Sequence, residues 1–193
     1  MTVTQRFMQG LAIIGLGIGV AINSATAIAN DDVARMVATQ QIEYLRKHYA
    51  RATDQIGTNT EEGIASGRAV YQRIFTPDVK ISASNGGETE PFRAEGPEAW
   101  VQVAASALKS FDATQHLIGT QIVSIDSLPD DKGQGGHATM TSYLQAWHSD
   151  PDRVLDIYIG TYHDKVRYTP GVGWQIYDMH LEKVSGEVTS KSH

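Results

Sequence analysis

The side chains that could do chemistry in this sequence are imidazoles and carboxylates. Seven histidines and 22 Asp and Glu residues are present, whereas cysteine is absent. Imidazole has an unperturbed pKa of about 6.5, so it can take up a proton near neutral pH, and a carboxylate bonded to its second nitrogen fixes the tautomer. The missing thiol excludes a cysteine nucleophile, a thiolate metal site and a disulfide-stapled fold.

Other catalytic motifs are weak or absent. The histidines form no H-E-x-x-H motif and no close His-x-His pair, so we expect no bound metal ion. The glycine-rich stretch Gly133–Gly136 is not followed by the helix and lysine of a phosphate-binding loop, and no serine lies in a nucleophile elbow. We therefore expect chemistry that needs no cofactor.

Length and charge bound the class of protein. The chain has 193 residues, which is typical of one globular domain. Asp and Glu outnumber Lys and Arg by 22 to 16, for a formal net charge of -6. This balance gives no electrostatic reason to expect nucleic acid or anionic lipid as the main partner, and it favours a small molecule or a protein.

The first 29 residues are typical of an export signal. Arg6 precedes an uncharged apolar run, Leu11–Ile22, which is shorter than the ~20 residues that span a bilayer. Ala27 and Ala29 then fit the small-residue pattern of a cleavage site before Asn30. We expect a periplasmic or secreted protein with no membrane span after cleavage; the alternative is an uncleaved N-terminal anchor.

Helical patterns fill the first half of the predicted domain, residues 30–186. Asn30 and two aspartates predict a capped helix start, followed by an apolar stripe at helical spacing: Ile42, Leu45, Tyr49, Ala52 and Ile56. A second helix is predicted over Glu61–Ile74, with Thr58 at capping-box distance from Glu61. Gly96 and Pro97 begin a third helix, with these predicted buried positions: Trp100, Val103, Ala104, Ala107, Leu108 and Phe111.

Strand patterns fill the rest. Val79–Ser84 predicts a strand, Asn85–Gly87 a tight turn, and the stretch around Phe92 a short return strand. Four longer strands follow, joined by turns rich in Pro, Gly and Asp: His116–Asp126, His137–Ser149, Arg153–Tyr168 and Gly173–Val184. The order predicts an α+β fold, with helices packed on a curved, mostly antiparallel sheet around an apolar pocket. Residues 187–193 are predicted to be a polar tail.

Strand alternation predicts which side chains face that pocket. His148 shares a face with Met140, Ser142, Leu144 and Ala146. On the next strand the corresponding face carries Tyr158, Gly160, Tyr162 and Asp164, with Gly160 expected to leave room for a ligand. The two tyrosines could equally be core residues with satisfied hydroxyls.

Several short phrases carry a family resemblance through their order and spacing: Tyr49–Asp54, Ile74–Val79, Gly96–Trp100, Gln115–Gly119 and Gly173–Ile176. The sequence resembles the SnoaL-like branch of the nuclear transport factor 2-like superfamily over nearly all of the chain after residue 29. The resemblance implies a cone-shaped α+β fold. The superfamily includes dehydratases, isomerases, dehydrochlorinases and binding modules, so function depends on the site.

Within that superfamily the sequence is most similar to the group of scytalone dehydratase, bile-acid 7α-dehydratase and hexachlorocyclohexane dehydrochlorinase. The group pairs an Asp near the end of the first helix with a His that opens a central strand, and Asp54 and His116 match these two catalytic positions. The resemblance also places His148 and Tyr49 against a substrate. Five residues separate Tyr49 from Asp54, or about 140° around a helix, so the two would reach one ligand from different sides.

The expected function is that of an exported, cofactor-independent lyase acting on a hydrophobic cyclic hydroxy-ketone or a steroid-like or polyketide-like substrate. Asp54 would orient His116, which would abstract a C–H proton. The substrate-binding candidates are Tyr49, Trp100, His148, Tyr158 and Tyr162. The alternatives are an isomerase using the same base and a non-catalytic small-molecule-binding module. Related folds often dimerise through the exposed sheet face, and a homodimer is expected here.

Overall fold

The computed structural model describes residues 14–85, 92–152 and 155–189. Its elements, in chain order, are α1 (Ile14–Ile56), α2 (Glu61–Ile74), β1 (Phe75–Asn85), β2 (Phe92–Glu95), α3 (Pro97–Leu108), β3 (Ala113–Ser127), β4 (His137–Ser149), β5 (Leu155–Thr169) and β6 (Gly173–Thr189). The chain divides into two compact units, residues 1–37 and residues 38–193. The second unit holds every element after α1. No helix in the described part of the chain has the length and apolar character needed to cross a membrane.

Helix α1 begins earlier than the sequence pattern predicted. The expected cap at Asn30 is wrong because this residue lies inside a continuous helix. No proline interrupts the chain between Ile14 and Asn30, so nothing there forces the backbone out of helical geometry. Arg6 and the first residues of the apolar run lie outside the described residues. Cleavage after Ala29 remains a prediction.

The apolar stripe of α1 is confirmed, since Ile42, Leu45, Tyr49, Ala52 and Ile56 are all buried. The predicted bounds of α2 are also confirmed, but its cap is Thr60. The Thr60 hydroxyl accepts a hydrogen bond from the Gly63 amide at 3.0 Å. Thr58 belongs instead to the turn that ends α1, where its hydroxyl donates to the Gln55 carbonyl at 2.8 Å. Helix α2 therefore begins two residues later than a cap at Thr58 would have placed it.

Helix α3 starts at Pro97, as predicted, after Gly96 with a φ of 81°. Its buried face comprises Trp100, Val101, Ala104 and Leu108. Val103 and Phe111 are half-buried, and the prediction for Ala107 was wrong because this residue is exposed. The true face follows the i, i+4, i+8 row from Trp100, which leaves position 107 on its flank.

The six strands form one sheet in the order β2-β1-β6-β5-β4-β3. Every neighbouring pair is antiparallel except β1 with β6, which is parallel. Register shifts mark bulges in β3, opposite β4, and in β6, opposite β5, and these bulges bend the long strands. The predicted α+β class with a mostly antiparallel sheet is therefore confirmed. Strand β6 continues to Thr189, into the predicted tail, and most of the predicted Asn85–Gly87 turn lies outside the described residues.

The predicted inner face of β4 is confirmed, because Met140, Ser142, Leu144, Ala146 and His148 are all buried. On β5, Tyr162 and Asp164 are buried and Tyr158 is half-buried.

Gly160 does not leave room for a ligand. A Cβ atom there would lie 2.8 Å from the Glu182 carbonyl oxygen and 3.0 Å from the Tyr158 ring. The absent side chain instead permits close contact between β5 and β6 at a bulge.

Candidate functional site

The end of α1 places Asp54 beside the start of β3. The Asp54 Oδ1 atom lies 2.7 Å from His116 Nδ1. The backbone amide of His116 donates to the same carboxylate, at 3.0 Å to Oδ1 and 3.3 Å to Oδ2. The Asp54 side chain keeps 21% of its surface exposed, and the His116 side chain keeps 8%. The structure thus brings together the two residues predicted to be catalytic.

This contact assigns the His116 tautomer. An ionised carboxylate only accepts hydrogen bonds, so Nδ1 carries the proton that faces Asp54. The Nε2 atom of neutral His116 then has a free lone pair. A carboxylate in this position also stabilises the imidazolium that forms when Nε2 takes up a proton. The pair can therefore act as an oriented general base.

A second histidine lies beside the first. His148 on β4 is opposite Thr114 on β3, and the Thr114 Oγ1 atom lies 2.7 Å from His148 Nδ1. The rings of His116 and His148 meet edge to face at 5.6 Å between centroids, and Phe111 stacks on His148 at 4.8 Å. Burial, followed by the charge of His116, lowers the pKa of His148. His148 is therefore neutral at neutral pH.

Sequence reasoning missed two residues that position this pair. Thr114 fixes the ring of His148 through its hydroxyl. Gly57 lies against Thr114 so closely that an added Cβ atom would overlap the threonine methyl group and meet Leu108 at 3.2 Å. A glycine thus lets the end of α1 approach β3. The sequence signal was a glycine directly after an apolar helix, which is also typical of an ordinary helix end.

Tyr158 shares a row with His116 across the sheet. His116 pairs with Ala146, and Ala146 pairs with Tyr158. Two strand spacings separate the outer residues by about 10 Å, and the side chain between them is a single methyl group. Burial, with a smaller contribution from Tyr49, raises the pKa of Tyr158 to about 12. Its phenol therefore stays protonated, as a hydrogen-bond donor, through the physiological range.

The other three substrate-binding candidates, Tyr49, Trp100 and Tyr162, contact one another. Trp100 Nε1 donates to the Tyr49 hydroxyl at 2.9 Å, and the ring of Tyr49 meets that of Tyr162 edge to face at 5.4 Å. All three are buried. Within the described residues, no hydrogen bond or ring contact joins this group to Asp54, His116 or His148. Tyr49, Trp100 and Tyr162 thus lie in the interior of the cone, and a substrate-binding role for them stays a prediction.

A buried ion pair in this interior was also missed. Arg46 Nη2 donates to Asp164 Oδ1, and both side chains are fully buried. The guanidinium carbon lies 3.8 Å from the centroid of the Tyr162 ring and 4.5 Å from that of Tyr49. Burial opposes the Arg46 charge, but Asp164 and the two tyrosines outweigh it and raise the pKa of Arg46. The sequence signal was an arginine inside the apolar stripe of α1.

Within this ion pair, the charge of Asp164 is less well stabilised than that of Arg46. Burial raises the pKa of this carboxyl group against the opposing effect of Arg46. Its Oδ2 atom, the Nε atom of Arg46 and the hydroxyl of Ser142 have no hydrogen-bond partner among the described residues. These groups line one interior region, since Ser142 pairs with Tyr162 across β4 and β5.

Two surface clefts lie elsewhere, with volumes of about 360 and 530 Å³, and neither is lined by Asp54 or His116. In the part of the chain that the structure describes, no three His, Asp or Glu side chains are grouped as a metal site.

Comparison with known proteins gives one family and many similar folds. The model of the SnoaL-like domain matches residues 34–180. A protein named "Putative Scytalone Dehydratase" from Novosphingobium aromaticivorans is 18% identical, with a TM-score of 0.62 over 83% of this chain and 93% of that one. The hexachlorocyclohexane dehydrochlorinase LinA-type3 from Novosphingobium barchaimii is 10% identical, with a TM-score of 0.62 over 84% and 97%. No curated protein matches the chain. At these identities the structural likeness shows the fold alone.

Proposed function

Because the chain belongs to the SnoaL-like domain family, we propose that it is a cofactor-independent lyase that removes water from a hydrophobic cyclic hydroxy-ketone. The observation that carries the proposal is the 2.7 Å contact between Asp54 and His116, which leaves His116 Nε2 free as a base. Solved structures with this fold include proteins named as dehydratases and dehydrochlorinases, both of which perform eliminations.

In the proposed reaction, the substrate contacts both His116 and Tyr158. His116 Nε2 takes the proton from the carbon next to the carbonyl group, and the C–H electron pair forms the new double bond as the C–O bond to the β-hydroxyl breaks. The imidazolium of His116, stabilised by Asp54, returns its proton to the departing hydroxyl, which leaves as water. The Tyr158 hydroxyl donates to the carbonyl oxygen, where negative charge develops.

His148 completes the site as a neutral hydrogen-bonding group. Its Nδ1 is held by Thr114, so its Nε2 faces away from that contact. A neutral imidazole beside His116 adds no positive charge that would oppose formation of the imidazolium. We assign His148 a substrate-binding role next to the departing hydroxyl.

The test is product formation from a panel of cyclic β-hydroxy-ketones and hydroxysteroids. We expect His116→Ala to lower kcat/KM by about 10²-fold to 10⁴-fold, because it removes the base. His137→Ala, which changes an exposed histidine at the start of β4, should leave the rate unchanged. A product isomeric with the substrate would favour the isomerase, and binding without any product would favour the non-catalytic module. Full activity of His116→Ala would contradict the assignment of His116 as the base.

We further propose that the protein forms a homodimer through the outer face of its sheet. Exposed apolar side chains gather there, and a shallow groove of about 530 Å³ runs among them: Leu117, Tyr143, Ile159 and Val184. Contiguous exposed apolar surface of this kind marks interaction sites. Tyr143→Glu should shift the mass measured by light scattering to that of a monomer, whereas Ser110→Glu on an exposed turn should not. A monomeric wild type would refute the dimer.

We also propose export with cleavage after Ala29. The support is the Leu11–Ile22 run with its small-residue site. Mass spectrometry of the protein secreted by a bacterial host should find a chain that starts at Asn30. A chain that retains residues 1–29 in the membrane fraction would instead indicate an uncleaved anchor.

A further inference from the structure

A cleft far from His116 has the features of a second ligand site. It has a volume of about 360 Å³ and lies between α1, the end of α2 and the turn joining β5 to β6. Tyr168 of β5 lines it, whereas His116 aligns with Tyr158 of the same strand through Ala146. The two tyrosines are about 33 Å apart along the strand. The cleft is therefore separate from the proposed catalytic site.

Two basic side chains line the cleft. Arg73 lies in the last turn of α2, and no described carboxylate lies within ion-pair distance of it. His48 of α1 is close enough that burial, together with the charge of Arg73, lowers its pKa. The protein as a whole carries a net charge of -6, whereas the described lining of this cleft contains a guanidinium and an imidazole but no carboxylate. An anion would complement this part of the wall.

Three aromatic side chains also line the cleft. Trp174 and Tyr168 lie on facing strands, and their rings meet edge to face at 5.5 Å between centroids. Tyr44 of α1 is the third, and its side chain is exposed. Large aromatic surfaces bind planar ring systems by stacking and edge contacts. The cleft thus combines aromatic walls with a cationic end.

Hydrogen bonds hold the end of α2 against β6 beside the cleft. Gln175, directly after Trp174, is buried, and its side-chain amide donates at 2.9 Å to the carbonyls of both Arg73 and Phe75. These bonds join the end of α2 to β6. The backbone at Arg73 is therefore held next to the strand that carries Trp174.

We propose that this cleft binds a planar aromatic carboxylate. The ring lies between Tyr44 and the Tyr168–Trp174 pair, the carboxylate receives hydrogen bonds from the Arg73 guanidinium, and neutral His48 adds a further donor. Neither the elimination reaction nor the Asp54–His116 pair is needed for this binding.

Isothermal titration calorimetry with 2-naphthoate tests the site on the full chain. We expect Arg73→Gln to weaken binding about tenfold, because a charge-assisted hydrogen bond is lost. Arg93→Gln removes the same charge from exposed strand β2 and should bind like the wild type. His116→Ala should also bind like the wild type, since it lies at the other end of the sheet. The neutral isostere 2-naphthalenemethanol should bind the wild type about tenfold more weakly than 2-naphthoate.

Tyr44→Ala provides a second variant at an exposed position. It should weaken 2-naphthoate and 2-naphthalenemethanol alike, because it removes a ring contact and leaves Arg73 in place. The proposal is overturned if the wild type does not bind 2-naphthoate or if Arg73→Gln binds it as tightly. It is also overturned if binding is lost in His116→Ala but kept in Arg73→Gln, because the ligand would then occupy the proposed catalytic site.

Discussion

The Asp54 carboxylate accepts hydrogen bonds from two nitrogens of one residue, the ring Nδ1 and the backbone amide of His116. The amide contact ties the carboxylate to the strand itself, so the carboxylate cannot follow a rotation of the imidazole. Ring orientation and tautomer are thus fixed by the same side chain. This geometry separates a positioned base from a histidine that merely lies near an acid.

Asp54→Asn tests that positioning. The asparagine amide group can turn its NH₂ toward Nδ1, which would place the imidazole proton on Nε2 and remove the free lone pair. We expect kcat/KM to fall by about 10²-fold or more, with KM changed little. Asp131→Asn, in an exposed turn, is the matched control. An unchanged rate would mean that Asp54 only fixes the end of α1.

Tyr158→Phe tests the donor opposite His116. Loss of one hydrogen bond to a developing oxyanion lowers kcat by about 10²-fold to 10³-fold in other enzymes, and we expect an effect of that order. Since the pKa of Tyr158 is raised to about 12, the wild-type rate should not fall between pH 7 and 9 through ionisation of this phenol. Tyr177→Phe on β6 is the control. A drop in rate for both variants alike would argue against the role.

The lowered pKa of His148 predicts how stability depends on pH. Burial and the neighbouring His116 disfavour the protonated form in the folded state, so the unfolded state binds more protons between the lowered pKa and the ordinary value of about 6.5. The contribution of His148 is present above that ordinary value and is lost as the pH falls through this window. Urea unfolding of the wild type and His148→Gln should therefore show a free-energy difference that changes below pH 6.5. A difference for His148→Gln that stays constant across this window would contradict the shift.

The buried Arg46–Asp164 pair predicts a large loss of stability when one partner is removed. Arg46→Met leaves a buried carboxylate without its cation, which should lower the free energy of unfolding by about 3–5 kcal/mol. The pKa of Asp164, already raised by burial, would rise further, so the loss should shrink as the pH falls and this carboxyl group is protonated. Arg46→Met with Asp164→Asn should be more stable than Arg46→Met alone at pH 7. Equal stability of the two would show that the unpaired carboxylate is not what destabilises Arg46→Met.

Local pattern predicted most of the framework. The stripe from Ile42 to Ile56 and the alternation from Met140 to His148 each describe one element, and the structure buries both as expected. Element ends were less predictable, because the start of α1 and the cap of α2 depend on where the preceding segment stops. Gly160 shows the same limit. Strand alternation assigned it to the correct face, but the sequence did not show that the Glu182 backbone of β6 lies against it.

The sequence by itself determined the reagents, imidazole and carboxylate, and the faces on which they lie, since both follow from residue type and from the periods of helices and strands. Only the tertiary structure decided which of these groups meet. Asp54 and His116 are 62 positions apart and Arg46 and Asp164 are 118 apart, so their contacts depend on how α1 crosses the sheet. The same crossing separates Asp54, which reaches β3, from Tyr49, which faces the core. Local periodicity assigns a side chain to a face, but the packing of one element on another selects its partner.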